Sequence, residues 1–324
     1  MINRRHLLAG VAGLPASMQL AAGSKPAGAA APETGVQVPS LYRYKIGTFE
    51  ITALYDGVWY RPIDEEFVRN ADYREVKRAM ADAFMPPEKL ATPFTALLVN
   101  TGSKLILLDT GTGGQIAPTA GSFADNLAAA GVDAKAIDAI VISHFHPDHI
   151  NGIKDKDNNR VFPNAEIMVP APEWSFWMDD ANLRAASGGL KNVFLNFRRI
   201  FSDIAGEVTR YEPGVEVTTG IATIPAFGHT PGHTVFAIQS GAESIVVLSD
   251  TTQHPALFAR HPEWQPQFDI DGAQAVATRR RLLDRVAADR ALVTGYHFPF
   301  PACGHIVRTA GGYEHVPVLW EARL

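Results

Sequence analysis

Six consecutive residues, His144-Phe145-His146-Pro147-Asp148-His149, constrain this chain more than any other feature. Three imidazoles and a carboxylate crowded together resist removal from water unless a cation joins them. Residues 139–143, just upstream, read as a short buried strand. Where backbone is extended, side chains two apart share a face, so His144 and His146 can grip one ion. Pro147 fixes its own φ and biases His146 toward extended backbone. The chain can therefore turn there and aim Asp148 and His149 at a neighbouring point.

The rest of the composition narrows the chemistry. Cys303 is the sole cysteine, which excludes an intrachain disulfide framework and a Cys-rich zinc site, so any metal must be held by histidine and carboxylate. With 324 residues, 46% of them hydrophobic and 19% charged, the chain can bury a sizeable core in one or two domains. The 29 Lys+Arg and 34 Asp+Glu give a formal charge of -5 without a basic block, which argues against a nucleic-acid partner.

Residues 1–31 carry Arg4-Arg5 before Leu7-Leu8, a short apolar stretch and a small-residue tract at Ala27 to Ala31. That order is expected of an export signal similar to the twin-arginine type, cleaved near residue 22 or 31, which places the mature protein in the periplasm. The apolar stretch is too short and too broken to span a membrane. Residues 38–324 read as one domain. Strands are expected within 42–60, with turns near Gly47 and at Asp56-Gly57, then at 95–100, 104–109, 139–143, 166–169, 222–225, 234–239, 244–249 and 291–294. Helices are expected at 72–84, 123–130, 172–178, 191–201 and 272–288. In the last of these Arg279 to Arg281 are expected to be mostly solvated, opposite a stripe that includes Val276, Leu283 and Val286. Strands interspersed with helices indicate an α/β or α+β layered domain.

Three later pieces lie in loops at expected strand ends: Gly228-His229-Thr230-Pro231-Gly232-His233, Asp250 and His297. Together with the motif at His144 they resemble the metallo-β-lactamase superfamily. The closing stretch Gly295 to His305, and Ser249 to Leu257 around Asp250, look most like its methyl parathion hydrolase group. The resemblance implies a four-layer αββα sandwich of two mixed sheets flanked by helices. It implies that His144, His146 and His229 hold one metal, that Asp148, His149 and His297 hold a second, and that Asp250 bridges them. The turn Asp109-Thr110-Gly111 matches a family turn, so Asp109 is expected to orient a ligating histidine. His233 is expected to play a supporting role without ligating. Trp177, Phe194 and Phe298 are expected to wall the substrate pocket, and a homodimer is implied.

Five imidazoles and two carboxylates suit two divalent ions, zinc first, with manganese, cobalt and iron compatible. A water shared by two such ions reaches neutral-pH ionisation, and Asp148 and Asp250 are the carboxylates placed to work with it. The expected function is metal-dependent hydrolysis of a small neutral organophosphate triester, ester or lactone by a metal-bridging hydroxide. The alternative is an N-acyl-homoserine lactonase, although the tyrosine such enzymes usually carry three residues after the bridging Asp is Gln253 here. A mononuclear-iron dioxygenase of the same fold would need fewer ligands, and a non-catalytic metal-binding protein would be expected to have lost some.

Overall fold

Alternating burial along the strands builds two seven-stranded mixed sheets among the described residues, 34–35 and 37–324 of this computed structural model. The export-signal expectation for residues 1–31 lies outside them. The first sheet runs in chain order: β1 (Leu41–Ile46), β2 (Phe49–Pro62), β3 (Lys89–Asn100), β4 (Leu105–Leu108), β5 (Ala139–Val141), β6 (Glu166–Pro170) and β7 (Thr209–Tyr211). It is antiparallel through β4 and parallel from β4 to β7. The second also runs in chain order: β8 (Glu216–Thr218), β9 (Ile221–Pro225), β10 (Thr234–Ser240), β11 (Glu243–Val247), β12 (Leu292–Thr294), β13 (Cys303–Arg308) and β14 (Tyr313–Pro317). Only its β11–β12 pair is parallel.

The helices are α1 (Tyr73–Asp82), α2 (Phe123–Ala129), α3 (Pro147–Ile150), α4 (Ala171–Met178), α5 (Asp180–Ala185), α6 (Gly188–Phe201), α7 (Pro255–Phe258) and α8 (Gly272–Ala288). Strand β3 shows why layers form. Leu97 and Val99 pack with Phe236 and Ile238 of β10 in the core between the sheets, while Ala96 and Leu98 join the outer cluster containing Trp174, Phe194 and Phe197. A strand buried on both faces reads as a continuous apolar run, and this one does. On the far side, Leu282, Leu283 and Val286 of α8 pack with Val235 and Val293. The result is the expected αββα sandwich, and Pro39–Leu324 form one compact unit. No helix among the described residues is long and apolar enough to cross a membrane.

Two local expectations are corrected. Asp56-Gly57 does not turn the chain: β2 runs from Phe49 to Pro62 with a bulge there, and Gly57 takes φ +120°. The buried Asp56 carboxylate instead accepts the backbone N–H groups of Thr112 at 2.6 Å and Phe123 at 2.8 Å, pinning the loop after β4. Arg279 is not solvated. It is 1% exposed and donates to the backbone oxygens of Thr251, Pro262 and Trp264 and to the Asp269 carboxylate.

Candidate metal centre

Most of the candidate ligands, and Asp109 beside them, sit beyond the carboxyl ends of strands in parallel pairs, where departing chain ends leave room for a site. Asp109 follows β4, the His144 motif follows β5, Asp250 follows β11 and His297 follows β12. His146 is extended (φ -68°, ψ 150°) and caps α3, with Pro147 at its first position, so Asp148 and His149 fall in the first turn of α3. The Gly-His-Thr-Pro-Gly-His loop is pressed on two sides. A Cβ at Gly228 (φ +123°) would lie 2.2 Å from the Ala275 nitrogen of α8, and one at Gly232 would lie 2.4 Å from the Glu173 nitrogen of α4. Only glycine fits such approaches.

Glu173 was not singled out from the sequence. It is fully buried and accepts the backbone N–H of Phe145 at 3.3 Å, that of Gly232 at 2.8 Å, and the Trp177 indole N–H. One carboxylate thus ties together the two loops that carry His144, His146 and His229.

The side chains converge in two groups, His144, His146, His229 and Asp250, and Asp148, His149, Asp250 and His297, the candidate ligand atoms of each lying within 4.8 Å of one another. Asp250 belongs to both. His146 Nδ1 lies 3.0 Å from His144 Nε2 and 2.9 Å from His229 Nε2. In the second group Asp250 Oδ2 is 2.9 Å from His297 Nε2, and Asp148 Oδ2 is 3.3 Å from His149 Nε2 and 3.5 Å from His297 Nε2.

The outer nitrogens explain the orientation. His149 Nδ1 lies 2.8 Å from Asp109 Oδ2, His229 Nδ1 lies 2.8 Å from Asp269 Oδ1, and His297 Nδ1 lies 2.8 Å from the Pro93 carbonyl oxygen. His144 Nδ1 meets the Ser143 hydroxyl at 3.0 Å, and that hydroxyl donates to Asp109. A carboxylate or carbonyl only accepts, so each of these imidazoles carries its proton on the outer nitrogen and turns the other toward the centre. His233 stands behind the cluster. Its Nδ1 meets the Ala226 carbonyl oxygen at 2.9 Å, and its Nε2 accepts the Asp250 backbone N–H at 3.2 Å.

The chemistry of this donor set fits divalent cations. The buried His149 Nε2 and Asp250 Oδ1 stand 3.2 Å apart, and neither has a hydrogen-bond partner. Burial and the neighbouring His229 push His146 down to about 3, so its ring is neutral. Burial opposes charge on His229, yet Asp250 and Asp269 raise it to about 9. Carboxylates and imidazoles at such spacing call for positive charge between them.

A cavity of about 240 Å³ opens on this cluster and includes His146, Asp148, Asp250 and His297 in its wall. Most of the remaining lining is apolar, with Trp59, Leu90, Phe94, Ile116, Val193 and Phe268. Trp177, Phe194 and Phe298 are not among the lining residues, which corrects the expected pocket. Trp177 is turned to Glu173 and packs on Phe194 in the outer core, and Phe298 packs on His315 behind β12. The helix α6 does reach the cavity, through Val193 rather than its neighbour Phe194.

An αββα sandwich with seven His and Asp side chains gathered beyond the strand ends fits a class of metal-dependent hydrolases. The chain belongs to the Metallo-beta-lactamase superfamily, whose family profile matches residues 93–297. Among solved structures it is similar to AidC, a dizinc quorum-quenching lactonase, at 30% identity and a TM-score of 0.82, covering 87% of this chain and 98% of that one. It is also similar to the hydrolase AbOPH of the beta lactamase superfamily, at 29% identity and a TM-score of 0.82, covering 88% and 100% of the two chains. A probable metallo-hydrolase of Mycobacterium bovis, Mb2322c, is 27% identical over 180 residues, 49% of this chain and 56% of that protein. This chain therefore spans little more than half the length of that relative.

Proposed function

We propose that this protein is a dinuclear metal-dependent hydrolase that cleaves a small neutral lactone, carboxylic ester or organophosphate triester. The observation that carries the reading is Asp250, shared by two ligand groups at the wall of a largely apolar cavity. His144, His146 and His229 would hold one ion and Asp148, His149 and His297 the other, with zinc the first candidate. Divalent ions supply such a site with a Lewis acid for a C=O or P=O group and with water whose pKa falls from about 15.7 toward 7.

The protein's own groups then orient and exchange protons. The Asp148 side chain is 14% exposed where that of Asp250 is 3%, so Asp148 presents a carboxylate to the cavity that can align water and accept its proton. Asp109, Asp269 and the Pro93 carbonyl hold the imidazole rings, and the apolar wall selects an uncharged body with an alkyl or aryl arm. The likeness to a dizinc lactonase supports the lactone arm, N-acyl homoserine lactones included. The residues around Asp250 and His297 that resemble the methyl parathion hydrolase group support the triester arm. An export signal and a periplasmic site of action complete the proposal.

Metal analysis of the purified protein should give close to two ions per chain. A panel of a phosphotriester, an aryl ester, an N-acyl homoserine lactone and a cephalosporin then ranks the substrates. Inactivity toward all four with both metals bound refutes the reading, and one tightly held iron with oxygen uptake replaces it with a dioxygenase.

A further inference from the structure

The cavity contains a cation that the chemistry above does not use. Arg61 lies on β2 beyond the bulge, lines the cavity and is 7% exposed. Its guanidinium carbon stands 4.1 Å from the ring centre of Phe268, 5.1 Å from that of Trp59 and 5.3 Å from that of Phe67. Ring faces steady a cation but accept no conventional hydrogen bond. Nε and Nη1 are buried without a hydrogen-bond partner among the described residues, and Asp64 acts on the group only through space. Burial lowers it to about 10, so it stays charged at neutral pH.

Thr92 is in the same condition. It lines the cavity from β3, and its hydroxyl is buried and unpartnered. In the β2–β3 register Trp59 faces Thr92 and Arg61 faces Leu90, so Arg61 and Thr92 are diagonal neighbours on one face. The unpartnered His254 Nδ1 belongs to the same cavity wall. Buried polar atoms without partners are uncommon in a folded protein, and those of Arg61, Thr92 and His254 gather on the wall of one cavity.

We propose that Arg61 and Thr92 form a polar subsite for an sp² oxygen, amide carbonyl or carboxylate, on the part of the substrate that is not cleaved. A guanidinium has five donors and no acceptor, and its planar fork matches such oxygens. Leu90, Phe94 and Ile116 accommodate the apolar chain between that oxygen and the scissile bond. The cleavage half of this statement rests on the hydrolase reading above, and the binding half does not.

Three p-nitrophenyl esters of equal chain length separate the sources: hexanoate, the adipate monoester with a free carboxylate, and its primary amide. The zinc-loaded wild type should favour one oxygen-bearing ester over hexanoate in kcat/KM. That preference should shrink roughly 10- to 100-fold in Arg61→Met, the span of one hydrogen bond to a charged group, and survive in part in Arg61→Lys. A stronger carboxylate arm assigns an anion, and a stronger amide arm assigns a carbonyl. Preferences equal in wild type and both variants overturn the subsite.

Calorimetry with three uncleavable anilides, hexananilide, adipic acid monoanilide and adipamic acid anilide, reads binding without turnover. The wild type should bind one of the two oxygen-terminated anilides more tightly than hexananilide, and the margin should vanish in Arg61→Met. No margin in the wild type overturns the subsite whether or not esters are cleaved. A clear margin with no turnover of these esters or of the four-substrate panel leaves the subsite standing and removes the hydrolase reading alone.

Discussion

Replacing Asp269 by Asn keeps the shape of a fully buried side chain and removes its charge, which isolates what that charge does. Asp269 accepts from His229 Nδ1 at 2.8 Å through one oxygen and from Arg279 Nη2 at 3.1 Å through the other. An asparagine has one acceptor oxygen, so one of these partners must face an NH₂ group. If the oxygen stays with His229, the Arg279 guanidinium loses its hydrogen-bonded carboxylate but keeps the carbonyls of Thr251, Pro262 and Trp264. Breaking a buried ion pair outright costs about 3–5 kcal/mol, and the three retained acceptors lower the expected loss to about 2–3 kcal/mol. If the oxygen turns to Arg279, the His229 ring loses its orientation. Outer hydrogen bonds of this kind are worth roughly 10- to 100-fold in metal affinity. In that case stepwise zinc affinity, measured by chelator competition, should fall by that factor for the ion that His144, His146 and His229 would hold. Denaturant unfolding of the metal-free protein measures the stability loss of the other case. A folded Asp269→Asn protein with both zinc affinities and the unfolding midpoint unchanged would refute both roles of the Asp269 charge.

The other predictions concern separate layers of the molecule. Asp250→Ala should lower occupancy of both metals together, read by metal analysis after gel filtration, and full occupancy removes Asp250 from the site. Glu173→Gln weakens the hold on the Phe145 and Gly232 backbone, and chemical denaturation should report a loss of about 1.5–3 kcal/mol; an unchanged midpoint refutes the clamp. Burial pushes the Cys303 thiol up to about 12, so iodoacetamide at pH 8 should label it in denaturant and leave it nearly untouched in the native protein. Burial lowers His315 from 6.5 to about 4, so the unfolded chain takes up the proton first. Stability from the neutral ring is therefore present above pH 6.5 and lost as pH falls toward 4, by at most about 3 kcal/mol. His315→Gln should flatten that part of the stability profile, and a slope equal to the wild type's refutes the assignment.

Four of the seven candidate metal ligands were legible because they fall in six residues, linked by a constraint of charge and spacing that needs no knowledge of distant chain. The other three, His229, Asp250 and His297, joined them only through the family resemblance. Burial of a strand such as β3 on both faces was legible in its apolar run, which made a layered α/β domain readable, while the four-layer αββα order followed from the family resemblance. The partners of the ligands were not. Asp269 meets His229 from 40 positions away in an irregular segment, and nothing in its neighbourhood distinguishes it from a turn residue.

Arg279 was hidden by its company, being the first of three consecutive arginines. Helical phase held the clue, because it lies four residues after Ala275 and three before Leu282, both buried, and the stripe read from the sequence was rotated away from that face. The same rotation separates Phe194 from Val193. A helix displaces successive side chains by about 100°, so placing α6 near the cavity did not decide which residue would enter it. Arg61 and Trp59 escaped notice because a glycine after an aspartate was read as a turn, whereas a bulge let β2 continue into the cavity wall. The capacity to hold cations is written in a short motif that charge and spacing decode, and the family resemblance adds hydrolysis. Substrate choice, by contrast, depends on side chains whose facing is set by bulges and helix rotation, and these become definite only once the sheets have packed.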